Sequence, residues 1–388
     1  MRLFKSIFKI MSILPFMLVS CQRQMTSEVS GATDTIPFKY ARLISIVRNN
    51  DIYVATIKNP WDTTQILHRY CLRQRGDTVA SPLQVRSNSV PTPLPQATQI
   101  TIPLRNVVIS SAVYCALWKE LGAEASVKGI CDTQYLMSKY WRDALSGKSV
   151  RDMGSSLNVD VERLMSVHCD AILMSPFNKA TYGAIEKTEI PIIECADYME
   201  TSPLARAEWM RFYGLLSGRQ READSLFRCT EAAYMALKNK VAQTSVRPTV
   251  FMDLMYSGTW YQPGANSTTG RMIADAGGQY VFADYVQSGS VPLSFESVFK
   301  KAHDAQFWFV RSNEPEGMTY SLMKRLNEKY SFFDAWKKRR IWLCNLSREA
   351  FFEEVPFQPE RLLRDYITIL HPELIQGQRS TTYYKAMQ

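Results

Sequence analysis

Histidine is scarce in this 388-residue chain: there are four, scattered at 68, 168, 303 and 371. The sequence contains no Gly-x-Ser-x-Gly elbow, no His-Glu-x-x-His pair, no P-loop and no glycine-rich dinucleotide fingerprint. The familiar hydrolytic, zinc-dependent, nucleotide-hydrolysing and hydride-transfer chemistries therefore have no named residues here, which leaves an envelope enzyme of unknown chemistry as a rival reading only. Cysteine is present without pattern. Of eight, one lies at position 21, and the other seven are widely spaced with no Cys-x-x-Cys, so they read as small buried hydrophobes and not as a zinc site or disulfide framework. No metal or cofactor site is expected. Positive charge is not concentrated either: of the net +9, Arg2, Lys5 and Lys9 belong to the extreme N-terminus, and the one basic run is Lys337-Lys338-Arg339-Arg340. That run directly precedes an apolar segment and reads as a solvated turn, not a nucleic-acid surface. After residue 20 no apolar stretch approaches the roughly 20 residues needed to cross a bilayer.

What is present begins with a leader. Basic residues are followed by an apolar run, Ile10 to Val19, and by Leu18-Val19-Ser20-Cys21. This has the layout of a secretory signal, and the last four residues resemble the bacterial lipobox. The resemblance implies cleavage after residue 20 and acylation of Cys21, whose lipid chains anchor the protein at roughly 0.8 kcal/mol per buried methylene. The body is then periplasmic and membrane-tethered, with the inner and outer membranes both open as hosts. Residues 21–39 are polar and rich in Ser and Thr, the composition of a flexible tether.

Short alternating strands dominate residues 40–104, an N-terminal β appendage that includes Leu43 to Val47, Ile52 to Ile57 and the turn Asn49-Asn50-Asp51. From 105 to 201, apolar strands (Val107 to Ser110, Val127 to Ile130, Ala171 to Met174, Pro191 to Glu194) alternate with helical stretches. The same rhythm returns over 247–388, at Thr249 to Asp253, Gln306 to Val310 and Ile341 to Cys344. Strand, helix, strand implies βαβ crossovers. The fold class is α/β: two lobes with central, mainly parallel sheets. Residues 202–246 separate them, and Ala223, Leu226, Phe227, Thr230, Tyr234, Leu237 and Val241 form one helical face, which predicts a long interlobe helix.

An internal echo links the lobes. Glu162 to Ala171 and Glu296 to Ala305 both read E-x7-D-A and both lead into a buried strand. Together with Asp152-Met153-Gly154, Ile190 to Glu194, Ser202-Pro203-Leu204, Gly264 to Ser267, Ala276-Gly277-Gly278 and His371 to Leu374, this ordered series resembles the periplasmic substrate-binding proteins of ABC importers for ferric siderophores, haem and cobalamin. The likeness spans roughly residues 105 to 375. It implies a monomer that captures a metal chelate in an interlobe cleft, a ferric siderophore first and a corrinoid or haem as alternatives, and delivers it to a dimeric ABC permease; an outer-membrane receptor is the other possible partner. It also implies that Glu162 and Glu296 dock on permease arginines, whereas the plain alternative is favourable placement at a helix N-terminus. Ligand contacts are expected in the loops after the strands: Ser110, Ser111 and Tyr114; Ser175 and Phe177; Tyr256, Trp260 and Tyr261; and Arg311, as a partner for an anionic chelate or a structural ion pair. Where corrinoid binders of the family can place tryptophans, this chain has Ser156, Ser175 and Ser290.

Overall fold

The computed structural model describes residues 34–49, 52–76, 97–179, 181–375, 377 and 380–388. The leader, Cys21, most of the tether, Asn50-Asp51 and the proline-rich stretch Pro91 to Pro95 lie outside them.

The N-terminal sheet starts inside the segment read as tether. Strand β1 (Asp34–Ile36) pairs antiparallel with β2 (Ile44–Asn49), which pairs with β3 (Ile52–Lys58) and through it with β4 (Ile66–Gln74). Strand β5 (Thr98–Ile102) adds parallel to β4. Alternation along β2 and β3 turns Ile44, Ile46, Ala55 and Ile57 to one face. Tyr70, Leu72, Ile100 and Ile102 join them, and the whole face merges into the hydrophobic core of the first lobe.

That lobe runs through β6 (Val107–Ile109), α1 (Ala112–Glu120), β7 (Val127–Ile130), α2 (Lys139–Ser146), β8 (Arg151–Asp152), the small hairpin β9 (Gly154–Ser155) and β10 (Asn158–Val159), α3 (Val161–Ser166), β11 (Ala171–Met174) and β12 (Ile192–Glu194). Its sheet has the order β12-β11-β6-β7-β8, parallel throughout. Every residue of β6 and β11 is buried, as strands covered on both faces must be. The edge strand β12 is closed off by the appendage: the Tyr70 hydroxyl donates to the Ile192 carbonyl at 3.0 Å and accepts the Glu194 N–H at 2.8 Å.

Three helices connect the lobes: α4 (Pro203–Glu208), α5 (Met210–Ser217) and α6 (Gln220–Val241). Gly214 lets α5 and α6 meet, since a Cβ there would lie 2.4 Å from that of Ala223. Gly218 ends α5 in the left-handed region, φ 71°. At 22 residues, α6 spans about 33 Å. Its apolar stripe serves both lobes: Ala223 and Phe227 belong to the first core, Tyr234 and Val241 to the second.

Upstream of β2, three glutamates, two on the connecting helices and Glu200 just before them, hold the backbone and side chains of residues 39–43. The buried Glu208 carboxylate accepts the N–H groups of Lys39, Tyr40 and Ala41 at 2.7–2.8 Å. Glu200 accepts those of Arg42 and Leu43 together with the Trp209 indole N–H. Glu231 on α6 takes the Lys39 ammonium and the Tyr40 hydroxyl.

The second lobe comprises β13 (Thr249–Met252), β14 (Met255–Tyr256), β15 (Thr259–Pro263), α7 (Thr268–Asp275), β16 (Gln279–Tyr280), β17 (Ser290–Leu293), α8 (Phe295–Ala302), β18 (Phe307–Ser312), α9 (Tyr320–Leu326), α10 (Asp334–Lys337), β19 (Ile341–Asn345), α11 (Phe351–Glu354), α12 (Pro359–Leu370) and β20 (Tyr384–Ala386). Its main sheet is ordered β16-β13-β18-β19-β20, parallel except for β20, and β14-β15-β17 form a small antiparallel sheet beside it. The architecture is the one the sequence predicts: two α/β lobes, a long interlobe helix and an N-terminal β sheet.

Candidate functional site

In open parallel sheets, ligands collect outside the carboxyl ends of the strands, at the point where connections leave in opposite directions. In the first lobe that point is β6, flanked by β7 and β11. A cavity of about 660 Å³ opens there, and both lobes line it. Ser110 and Ser111 enter from the end of β6, Asp132 and Tyr135 from the turn after β7, and Ser175 and Phe177 from the end of β11. The second lobe answers with Asn313 beyond β18, Leu346 and Ser347 beyond β19, and Glu349, Phe352 and Glu353 at and before α11. Tyr135, Phe177 and Phe352 are each more than half exposed in this open cavity, and so offer ring faces to a ligand.

Of the nine expected ligand contacts, the structure therefore brings together Ser110, Ser111, Ser175 and Phe177, and places the other five elsewhere. Tyr114 is buried: its hydroxyl donates to Asp197 at 2.8 Å, beside the Tyr213 hydroxyl at 2.7 Å and the Arg206 Nε at 3.0 Å. A residue on the inward face of α1 cannot also face the cavity. Trp260 is 0% exposed and packs, tilted or edge-on, among Phe251, Phe295, Trp308, Tyr330 and Phe333, with its indole N–H on the Met252 carbonyl. It is core, a correction that follows from strand alternation in β15. Its neighbour Tyr261 points outward at 48% exposure, and Tyr256 stands at 76% on the hairpin β14-β15; neither lines the cavity. Arg311 pairs with Asp253, Nε to Oδ1 at 3.0 Å with a second contact from Nη2. It faces a separate recess of about 100 Å³. Ser156 also lines the main cavity, whereas Ser290 lies on β17 paired with Pro263.

The sequence reading missed Asp132, Tyr135, Asn313, Ser347, Glu349, Phe352 and Glu353. For Asp132, Asn313 and Ser347 a signal existed, because each closely follows an apolar strand. The α11 segment carries none, since it reaches the first lobe only through tertiary contacts. The Glu353 carboxylate accepts the N–H groups of Met137 and Ser138, and Phe357 packs against Tyr114 and Tyr213. Burial pushes the carboxyl pKa values of Glu349 and Glu353 above the usual glutamate range.

The two echoed glutamates occupy equivalent places. Asp160 caps α3 through the Arg163 N–H at 3.0 Å, and Ser294 caps α8 through the Ser297 N–H at 3.2 Å. Glu162 and Glu296 are each the second residue of the helix and each is exposed; Glu296 has the Lys329 ammonium 3.9 Å away. Among the described residues, no group of His, Cys, Asp and Glu is placed to hold a metal ion, and no helix is long and apolar enough to cross a membrane.

Residues 107–344 match the family model described as periplasmic binding protein. An uncharacterized lipoprotein of Methanocaldococcus jannaschii is 26% identical over 297 residues, 74% of this chain and 70% of that protein. Among solved structures, a periplasmic haem-binding protein from Pseudomonas aeruginosa superposes with a TM-score of 0.58 at 12% identity, covering 74% of this chain and 98% of its own. An ABC-type Fe3+-hydroxamate transport protein from Saccharomonospora viridis gives 0.55 at 17%, covering 69% and 94%. At these identities the likeness to the two structures is one of fold.

Proposed function

This chain belongs to the periplasmic binding protein family, and from that premise we propose that it captures a metal chelate between its lobes and hands it to an ABC permease. The observation that carries the reading is the cavity of about 660 Å³ at the facing strand ends of both lobes, a size within the range of sites that enclose a drug-sized or larger organic molecule. Exposed aromatic faces with serine, asparagine and glutamine groups around them suit a bulky chelate more than a bare ion. A ferric siderophore is the first ligand to test, with corrinoids and haem as the alternatives. The protein's part is capture, orientation and release, with no chemical step.

In this reading Cys21 carries the lipid anchor, so the body works in the periplasm close to its membrane partner, and the tether raises the local concentration of loaded protein at the permease. Glu162 and Glu296, one per lobe at matching helix positions, present two equivalent acidic contacts to a two-fold permease. The test is native mass spectrometry of the full-length protein extracted from its own membranes, followed by fluorescence titration with the chelate recovered. A bound metal chelate in micromolar or tighter association is the expected result. Protein that carries none, and that binds no member of a siderophore, corrinoid and haem panel, overturns it.

A further inference from the structure

We propose that the cleft selects chelates that are neutral or positively charged and rich in hydrogen-bond donors, and rejects polyanionic ones, with Asp132 and Glu349 as the selecting residues. The inference rests on the cavity being the solute site. Its charged lining residues are Asp132, Glu349 and Glu353, and among the described lining residues there is no lysine, arginine or histidine.

The two arginines of the adjoining recess are already committed, and Arg142 donates to the Leu136 and Met137 carbonyls. Arg311 forms its forked pair with Asp253, and Arg206 lies against Asp197. Both line the smaller recess, which shares Phe352 with the main cavity. Each guanidinium meets a carboxylate of its own there, so neither presents an unneutralised charge to a ligand. Glu353 is likewise occupied, its carboxylate bound across the lobes to the Met137 and Ser138 N–H groups.

That leaves one carboxylate from each lobe. Asp132 Oδ1 accepts the Ser156 N–H at 3.3 Å, and its second oxygen has no partner among the described residues. The Glu349 carboxylate has neither a hydrogen bond nor an ion pair among the described residues. The cation that acts on it, Lys385, donates to the carbonyls of Thr381 and Thr382. Drawing the lobes together around a ligand would bring two like charges toward each other in a site that excludes water, where their repulsion grows as screening falls. An ammonium, amide N–H or hydroxyl donor between them relieves that repulsion, and a carboxylate or catecholate adds to it. The other lining groups are consistent with such a periphery: Ser111, Ser175, Gln134 and Asn313 suit amides, and Tyr135 and Phe352 suit a cation over a ring.

The experiment is isothermal titration of the full chain with four probes: ferrioxamine B, a trihydroxamate bearing a free ammonium; cyanocobalamin, neutral and amide-rich; a ferric tris-catecholate trianion; and haem with its two carboxylates. The expected result is that at least one of the first two binds at least about tenfold more tightly than either anionic probe, and that Glu349→Lys narrows the gap by about tenfold. Asp132→Asn, which keeps a residue type that tolerates the left-handed backbone at this position (φ 50°), should narrow it in the same sense, so the proposal stays testable if the lysine variant folds poorly. Equal or tighter binding of the tris-catecholate or haem overturns the inference and leaves the solute-site reading intact, as does a gap that neither variant changes. Failure of all four probes to bind overturns the inference, and overturns the solute-site reading too when the extracted protein carries no chelate.

Discussion

The two lobes share a plan and differ in what fills it. Each sets a mainly parallel five-stranded sheet behind the cavity, and each places a capped helix with glutamate at its second position before an Asp-Ala turn and a buried strand. The first lobe completes its core with borrowed parts: strands β2 to β5, helix α5 and Phe357 all pack into one cluster with β6 and α1. The second lobe is stabilised by its own aromatics, with Phe251, Trp260, Trp308 and Phe333 packed together at ring-centroid distances of 4.7–6.1 Å. One architecture can therefore be stabilised either by annexing neighbouring segments or by a dense local cluster, and the choice decides which aromatics remain free for a ligand. In the second lobe nearly all are consumed, and the cavity takes its rings from Phe352 on one side and from Tyr135 and Phe177 on the other.

The sharpest way to break this contrast is Trp260→Ala, expected to cost about 3–5 kcal/mol in a urea melt through loss of the central ring. A cost below about 1 kcal/mol would mean that the aromatic cluster does not hold the second lobe together. On the first-lobe side, Glu208→Ala leaves three backbone N–H groups without their acceptor and should cost about 3 kcal/mol in the same assay, with proteolysis near residue 40 as a second readout. The equivalence of the two glutamates proposed to dock is tested by Glu162→Lys and Glu296→Lys made separately: each should lower permease-dependent uptake roughly tenfold, about 1.4 kcal/mol, with chelate affinity unchanged. A strong effect from one lobe alone would break the symmetry, and none from either would remove the docking assignment. Acidification probes the cavity itself. Burial raises the Glu349 pKa, Asp365 and Glu354 add to the rise and Lys385 opposes it, so the carboxylate takes up its proton at a higher pH than an ordinary glutamate. Affinity for a cationic chelate should then weaken as the pH falls from neutral, starting above the pH at which an ordinary glutamate takes up its proton, and Glu349→Gln should flatten that slope. Tyr261→Ala, one residue from the largest effect, should change stability by less than about 0.5 kcal/mol.

Those neighbours show where sequence reasoning worked and where it stopped. Strands such as β6 and β11 were legible because continuous apolar runs bounded by turns admit few other structures, and α6 because its stripe keeps helical period over some twenty residues. The matched glutamates were legible because cap, glutamate and Asp-Ala turn recur in the same order. Trp260 was not. Its flanking glycines resemble a loop, and the strand that buries it is completed by β17, whose Pro292 argues locally against a strand. Arg311 had the same difficulty, because its partner Asp253 lies 58 residues away. The cavity contribution of α11 depends on Glu353 reaching Met137, a contact 216 residues apart in sequence, and no local pattern encodes such a distance.

The clasp on residues 39–43 has a mechanical consequence. A load applied to the chain upstream of residue 34 would first peel the three-residue strand β1 from β2 and would then meet the carboxylates of Glu208, Glu200 and Glu231. Glu208 and Glu231 lie on α4 and α6, which join the lobes, and Glu200 lies three residues before α4, so the force enters at the connecting helices and not at the loops that line the cavity. With the proposed lipid anchor, a pull from the membrane would therefore load the frame between the lobes before it reached the residues that line the cavity.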